Sequence, residues 1–143
     1  MPEQPLTGYH FQVEWGDSRI GFTEVSGLDI EVDVIEYREG ASPVQSPLKL
    51  PGLVRYPNIV LKRGIVAGDN GFFEWLDTIR MGRAERRDLV VSLLDENHEP
   101  VVRWKARNAF PVRLEGPVLR AEGSTVAIET LEVAHEGLTV ENG

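Results

Sequence analysis

The sequence predicts a mainly β fold, either a two-sheet sandwich or a barrel-like domain, with one flanking α-helix. Two observations support this prediction. Most apolar residues recur with the period of two that is typical of β-strands with one buried face. A single segment instead shows the spacing of an amphipathic helix. Glycines and prolines interrupt these patterns where turns and one long loop are expected.

Length and composition fit one domain spanning residues 1–143, with a core from about residue 9 to 138. A chain of this size buries roughly 70% of its unfolded surface. The formal net charge of −8 argues against a surface that binds a nucleic-acid backbone. The absence of cysteine excludes disulfides, thiolate metal sites and a cysteine nucleophile. No apolar run approaches the ~18 residues of a membrane span, and the polar start is not a signal peptide.

Residues 22–64 are the most informative stretch. From Leu28 to Val34 apolar and acidic residues alternate, which predicts a half-buried strand. A second strand is expected from Arg55 to Lys62, with Ile59 and Leu61 on one face. Between them, at about residues 39–54, glycines and prolines predict a loop. Long loops without secondary structure usually bind something, so this loop is a candidate subunit contact.

The remaining elements follow in order along the chain. Residues 9–15 alternate as a strand, and a turn then leads to a short strand at residues 19–23, predicting a hairpin. A helix is expected at about residues 71–82, with an apolar packing stripe formed by Phe72, Trp75, Leu76 and Ile79. Strands are expected at residues 88–95, 101–108 and 110–115. The last strand is expected at 124–135, with a bulge near residues 129–130.

No motif for catalysis or cofactor binding is present: GxSxG, GxGxxG, HExxH and a P-loop are all missing. His10, His98 and His135 are scattered without metal-ligand spacing, so no metal, cofactor or catalytic residue is expected. Three carboxylates share one strand face and could suggest a Ca²⁺ site or an acid/base cluster. A straight strand does not wrap around an ion, so a solvated face is favoured for Asp29, Glu31 and Asp33.

Two basic clusters have alternative interpretations. One strand face carries Arg103, Lys105 and Arg107, opposite in sign to the acidic face. These two faces could simply meet water or discourage wrong pairing, or they could align one copy against the next. The second cluster follows the helix. Helix capping and local ion pairs are favoured over a phosphate or partner patch for Arg80, Arg83, Arg86 and Arg87.

Nearly the whole chain, from about Tyr9 to Leu138, resembles the tail-tube protein family. The resemblance rests on segments in the family's order: GFTEVSGLDIEVDVIEYREG, KLPG, YPNIVLKRG, GFFEWLDTIRMG, RRDLVVSLLDE, RWKARNAFPV and VAIETLEVAHEGL. These proteins are the inner-tube subunits of contractile-tail phages and of extracellular contractile injection systems, and the injection-system branch is the more similar. Residues 41–47 are more proline-rich than the family pattern.

The resemblance implies a structural protein and not an enzyme. Family members form homohexameric rings that stack into a hollow tube inside a contractile sheath, and the tube is driven through a target envelope to deliver cargo. The implied partners are further copies of the chain, the sheath protein, baseplate and tube-terminator proteins, and cargo in the lumen. The resemblance also implies synthesis in the bacterial cytoplasm and assembly into a phage tail or a tail-like extracellular particle.

The resemblance gives the long loop and the charged strands a role. The expected ring or subunit contact comprises Tyr37, Arg38, Glu39, Gly40, Pro43, Pro47, Leu50, Pro51, Gly52 and Leu53. Either charged face, residues 29–33 or residues 103–107, is a candidate for the lumen wall or for a contact between subunits. The alternatives are a tube initiator at the baseplate, a monomeric ligand-binding β-barrel, and a remote hydrolase that would use Asp29 or Glu31 with His135.

Overall fold

The computed structural model describes residues 5–8, 10–16, 21–38, 40–41 and 47–143. This part of the chain contains strands and one short helix, which confirms the mainly β prediction. The elements are β1 Phe11–Glu14, β2 Glu24–Ser26, β3 Glu31–Tyr37, β4 Leu48–Arg55, β5 Ile59–Gly64, α1 Gly71–Leu76, β6 Arg87–Leu94, β7 Pro100–Glu115, β8 Ile128–Ala134 and β9 Gly137–Asn142.

Two sheets are present in the described residues. The larger has seven strands in the order β1-β6-β7-β8-β5-β2, with β9 also paired to β7. The smaller sheet is the antiparallel hairpin of β3 and β4. The hairpin follows β2 and precedes β5, and those two strands pair with each other, so the hairpin extends from one end of the larger sheet.

The larger sheet changes partners along β7, its 16-residue strand. The first part of β7 pairs with β6 and β9, and the second part pairs with β8. Asn108 lies at this change with a positive φ of 52°. Its backbone N–H donates to Asp88 over 3.0 Å, and its side-chain amide donates to Glu136 over 2.8 Å. These bonds fix the position at which β7 passes from one half of the sheet to the other.

Both halves of the sheet contribute to one hydrophobic core. The alternation of each strand places every second side chain inward. The buried cluster comprises Val13, Trp15, Leu89, Val91, Ala106, Ala109 and Leu138 from the β1-β6-β7-β9 half and its margins, Ile59, Leu61, Leu131 and Val133 from β5 and β8, and Phe72 and Trp75 from α1. The predicted inward face of β5, with Ile59 and Leu61, is confirmed.

A buried arginine joins the helix to the sheet. Arg63 on β5 is only 1% exposed, and its guanidinium contacts Glu129 of β8 at 2.7 Å and Asp69 at 3.3 Å. The same group lies 3.9 Å from the ring centroid of Phe72. Asp69 also accepts a hydrogen bond of 3.0 Å from the backbone N–H of Gly71, where α1 begins. One cation therefore connects two strands, the loop before the helix and the helix itself.

Glycine is required where the helix begins. A Cβ at Gly71 would lie 2.8 Å from Cη2 of Trp15, closer than van der Waals contact allows. The indole of Trp15 packs against Phe72 and Trp75 of the helix, with ring centroids 5.4 and 5.8 Å away. The short helix is therefore held by its aromatic contacts with the sheet, since six residues are too few for a helix to be stable alone.

Several expected boundaries differ from the structure. The helix ends at Leu76 and not near residue 82, because the N–H groups of Thr78 and Ile79 bond to carbonyls only three residues back and the chain then enters the turn at Met81 and Gly82. The strand expected at residues 124–135 is β8, which begins at Ile128 and pairs with β5 without the bulge expected near residues 129–130. The last strand is β9, which the sequence does not predict.

In the described residues β1 pairs with β6 and β2 pairs with β5. The turn and part of the second strand of the hairpin expected within residues 9–23 are not described, so that hairpin stays a prediction. Tyr9 and residues 17–20 lie outside the described residues.

Replacing Arg63 tests how strongly the fold depends on its buried charge. We expect Arg63→Met to lower the free energy of unfolding by about 3 kcal/mol, because two carboxylates lose their buried partner. Urea unfolding at neutral pH measures this change. Arg113→Met is the matched control: its side chain is 67% exposed and 4.0 Å from Glu115, so a change below about 1 kcal/mol is expected. Equal losses in both variants would contradict the assigned role.

Candidate assembly surfaces

The β3–β4 hairpin includes part of the segment that the sequence predicts to be a loop. Residues 48–55 form a strand paired with β3 from Glu31↔Arg55 to Tyr37↔Leu48. The loop prediction for residues 48–54 is therefore wrong. Pro51 and Gly52 fit this strand because the pairing shifts beside them, between Val32 and Val34. The other edge of β4 is unpaired in the described residues, so the N–H that proline lacks is not needed there.

Both faces of the hairpin carry exposed apolar side chains. The register and the strand period place Ile35 and Leu50 on one face and Val32 and Val54 on the other. Most of the large apolar residues of the hairpin are at least half exposed: Val32, Val34, Ile35, Tyr37, Leu48, Leu53 and Val54. Leu50 is 42% exposed. The half-buried strand predicted from Leu28 onward is thus not buried within a single chain.

The hairpin is stabilised by its own two strands. Among the described elements, β3 and β4 pack extensively only against each other. An ion pair of 2.9 Å between Arg55 and Asp33 crosses the hairpin at the end nearest the larger sheet. A two-stranded ribbon with apolar residues on both faces and open edges is a surface that another chain covers in functional assemblies. The hairpin is therefore the leading candidate assembly surface.

The structure brings most of the predicted contact residues together on this hairpin. Tyr37 ends β3 and Arg38 follows it, while Leu50, Pro51, Gly52 and Leu53 lie within β4. Gly40 and Pro47 lie between the two strands. Glu39 and Pro43 lie outside the described residues. What the sequence reasoning missed is the second strand, since prolines and a glycine concealed its alternating pattern.

The two charged sets lie on different elements, and parts of each are paired within the chain. Asp29 precedes β3, Glu31 begins it, and Asp33 pairs with Arg55. On β7, Lys105 pairs with Glu141 of β9 at 2.9 Å, and Arg107 donates to the backbone oxygen of Glu136 over 3.0 Å. Arg103 makes no ion pair within the described part of the chain.

The arginines that follow the helix mostly bind local groups. Arg80 pairs with Asp77 at 3.4 Å, and Arg86 donates to the backbone oxygen of Asn108 over 3.3 Å. Arg87 donates to Glu85 and to the Trp15 backbone oxygen, and its guanidinium lies over the rings of Trp15 and Trp75. Arg83 is exposed and has no carboxylate within 4.0 Å among the described residues.

The histidines do not form a catalytic or metal site in the described part of the chain, where no cluster of potential ligands occurs. His10 stacks on His98 with ring centroids 5.0 Å apart, a contact that the sequence reasoning missed. His135 lies beside Tyr56, and both of its ring nitrogens are buried without a hydrogen-bond partner among the residues that the structure describes. It therefore lacks the carboxylate that a hydrolytic pair with Asp29 or Glu31 would require. No helix among the described residues could cross a bilayer.

A family sequence model and several solved structures resemble the chain. The model of the T4-like virus tail tube protein gp19 matches residues 7–139. A chain in the anti-feeding prophage cap (AFP tube terminating cap) is 34% identical with a TM-score of 0.92, covering 100% of this chain and 95% of its own. A chain of the extracellular contractile injection system PVC, in its extended sheath-tube complex, is 32% identical with a TM-score of 0.91, covering 99% and 94%.

A more distant neighbour shares the fold alone. Hcp1 from Flavobacterium johnsoniae is 15% identical with a TM-score of 0.63, covering 94% of this chain and 97% of its own. A comparison with curated proteins finds no significant match.

A substitution on the hairpin tests whether the hairpin packs against its own chain. We expect Leu53→Thr to change the free energy of unfolding by less than about 0.5 kcal/mol, because Leu53 is 74% exposed. Leu61→Thr, at a buried position of β5, should cost at least about 2 kcal/mol. Urea unfolding of the monomer compares the two variants. A large loss for Leu53→Thr would mean that the hairpin packs against its own chain.

Proposed function

The chain belongs to the T4-like virus tail tube protein family, and we propose that it forms homohexameric rings that stack into the hollow inner tube of a contractile particle. It is a structural protein of phage tails and extracellular contractile injection systems. In this role the tube surrounds a lumen for cargo and is itself surrounded by a contractile sheath. This role requires no catalysis, and the sequence contains no motif for it.

One observation carries the proposal: the β3–β4 hairpin exposes apolar side chains on both faces, and the described part of its own chain does not cover them. A ring subunit has neighbours beside it and in the next ring, so a hairpin with two adhesive faces serves both contacts. Contacts that join different surfaces of identical subunits either close into rings or continue as filaments. We assign the hairpin face with Ile35 and Leu50 and the face with Val32 and Val54 to different neighbouring copies.

Partners beyond the tube itself follow from the relatives. Similar chains occur in a sheath-tube complex, a sheath/tube terminator and a baseplate. We therefore propose that this tube is surrounded by a sheath, begins at a baseplate and ends at a terminator. The particle is assembled after synthesis in the bacterial cytoplasm.

The lumen wall is proposed to be the outer face of β7 and β9. Here Arg103 opposes Glu141 and Lys105 opposes Thr139 in register, and all four side chains are exposed. This polar face suits contact with water and sliding cargo, since mixed charges do not trap a charged molecule. Asp29, Glu31 and Asp33 belong instead to the apolar hairpin region, which suits contact between subunits. A ligand-binding barrel is disfavoured because aromatic residues, including Trp15, Phe72 and Trp75, fill the core.

Electron microscopy of the purified chain tests the proposal. We expect negative-stain images to show rings and stacked hollow filaments, with light scattering that rises with protein concentration. Rings would also reveal the number of subunits, so a count other than six would contradict the hexamer alone. A monomer at every concentration, with or without baseplate protein, would contradict the tube function.

Shortening the tip of the hairpin should separate ring formation from stacking. We expect deletion of Ser42–Pro47 to leave soluble rings or monomers but no long tubes, because the contact with the next ring is lost. The control is Arg113→Met, an exposed substitution on β7 that keeps the segment between β3 and β4 and lies outside the hairpin. Unchanged tube length in the deletion variant, measured by negative-stain microscopy, would exclude the tip from the contact between rings.

A further inference from the structure

An exposed methionine is held in a strained turn after the helix. Arg80 and Arg83 exchange two backbone hydrogen bonds of 2.8 Å, and between them Met81 and Gly82 have φ of 48° and 79°. Two positive φ values between mutually bonded residues define a type I′ turn, whose first central position favours Asn, Asp or Gly. Met81 is fully exposed, with a relative accessibility of 101%. An unbranched apolar side chain thus occupies a position that neither burial nor backbone preference explains.

The turn is anchored to the helix. The buried indole of Trp75 donates to the backbone oxygen of Glu85 over 2.7 Å. The Thr78 hydroxyl donates to the Trp75 backbone oxygen over 2.7 Å and accepts from the Glu85 N–H over 3.1 Å. Hydrogen bonds therefore connect the residues before and after the turn to Trp75 in the core, and they fix the position of the turn on the subunit.

The tip combines an apolar centre with a cationic rim. The Arg80 side chain is 68% exposed and pairs with Asp77 at 3.4 Å, and Arg83 is exposed without an ion pair among the described residues. Methionine adapts to irregular apolar pockets, and methionine and arginine are both enriched at protein interfaces. The tip would therefore fit an apolar groove that carries carboxylates.

The same chain contains such a groove on another surface. A groove of about 610 Å³ lies between the segment 116–127 and the outer face of β2, β5 and β8. Its apolar lining comprises Pro117, Val118, Val126 and Ile128, and its carboxylates are Glu24, Glu115 and Glu122. Lys62 pairs with Glu24 at 3.4 Å and Arg113 pairs with Glu115 at 4.0 Å, and Arg120 also lines the groove. Glu122 is thus the groove carboxylate without an ion pair among the described residues. Val118 and Val126 are 75% and 72% exposed, so apolar surface is available to a partner.

We propose that the Arg80–Arg83 turn of one copy inserts into the 116–127 groove of a neighbouring copy, with Met81 against Val118 and Val126. Arg80 and Arg83 then face the groove carboxylates, including Glu122. A second copy is the occupant that fits, because the turn and the groove are complementary in charge and in apolar character and belong to the same chain. Two different surfaces that recognise each other form a heterologous contact, which a ring or a stack requires. The inference rests on the proposed tube function.

Met81→Asn removes the anchor and leaves the turn intact. Asparagine is favoured at this position of a type I′ turn, so the monomer should unfold at the same urea concentration or a higher one. The concentration needed for assembly should rise about 10- to 30-fold, as expected when an interface anchor is lost. Sedimentation and negative-stain microscopy measure this concentration. An unchanged assembly concentration would exclude Met81 from the contact.

Cysteine pairs test which surfaces meet. The chain has no cysteine, so cross-links report only on the introduced thiols. Separately purified Met81→Cys and Val118→Cys proteins should form a disulfide-linked heterodimer when they are mixed, assembled and oxidised. The control mixture of Met81→Cys with His98→Cys, whose His98 lies in an exposed turn at the other end of β6, should not.

A charge reversal provides the third test. Arg83→Glu should weaken assembly, and combining it with Glu122→Arg should restore it if the two side chains meet. If wild-type protein forms tubes while the mixed cysteine variants do not cross-link, this inference fails and the tube function stands. If wild-type protein forms neither rings nor tubes, both fail. Normal tubes from Met81→Asn with weakened binding of sheath protein would assign the turn to the sheath and overturn the contact between copies.

Discussion

The buried guanidinium of Arg63 is the interaction on which the rest of the subunit depends. It neutralises carboxylates from β8 and from the loop before α1 while its flat face covers the Phe72 ring. Burying a cation costs free energy unless carboxylates pair with its charge and accept its hydrogen bonds. Arg63 therefore fixes the positions of Asp69 and Glu129. Because Asp69 in turn binds the Gly71 N–H, the short helix begins at one defined place on the sheet. The aromatic core then forms around that arrangement.

The outer surface is organised differently from the core. The larger sheet buries most of its apolar residues, with Val112 and Val140 as exposed exceptions. The hairpin, the 116–127 segment and the turn after the helix instead expose most of their large apolar side chains. These are the parts that extend from the sheet. A subunit of a polymer needs both parts: a core that folds within one chain, and exposed apolar segments that become buried only when neighbouring copies bind.

The sequence predicts elements well where the alternating pattern is uninterrupted. Ile59 and Leu61 of β5 lie inward as expected, because a strand with alternating apolar residues buries the same side chains only in one register. The strand β4 was missed because Pro51 and Gly52 are rare in strands and tolerated there only beside a shift in register. The sequence predicts too long a helix because Ile79 continues the apolar spacing, although the helical backbone ends at Leu76. The sequence does not reveal that Arg63 is buried, because its partner Glu129 is distant in the chain and only the fold brings the two charges together.

The local pairing of the β3–β4 hairpin has a consequence for how the subunit folds. Its strands are consecutive in the chain and separated by residues 38–47, whereas β1 must find β6 and β5 must find β8 across much longer separations. Hairpins form in about 1–10 μs, and sheets with distant partners form far more slowly. The hairpin can therefore form before the core, but an isolated two-stranded hairpin is only marginally stable in water. Its exposed apolar side chains are a site of unwanted association while the larger sheet is incomplete, so delayed encounters between new subunits favour correct assembly.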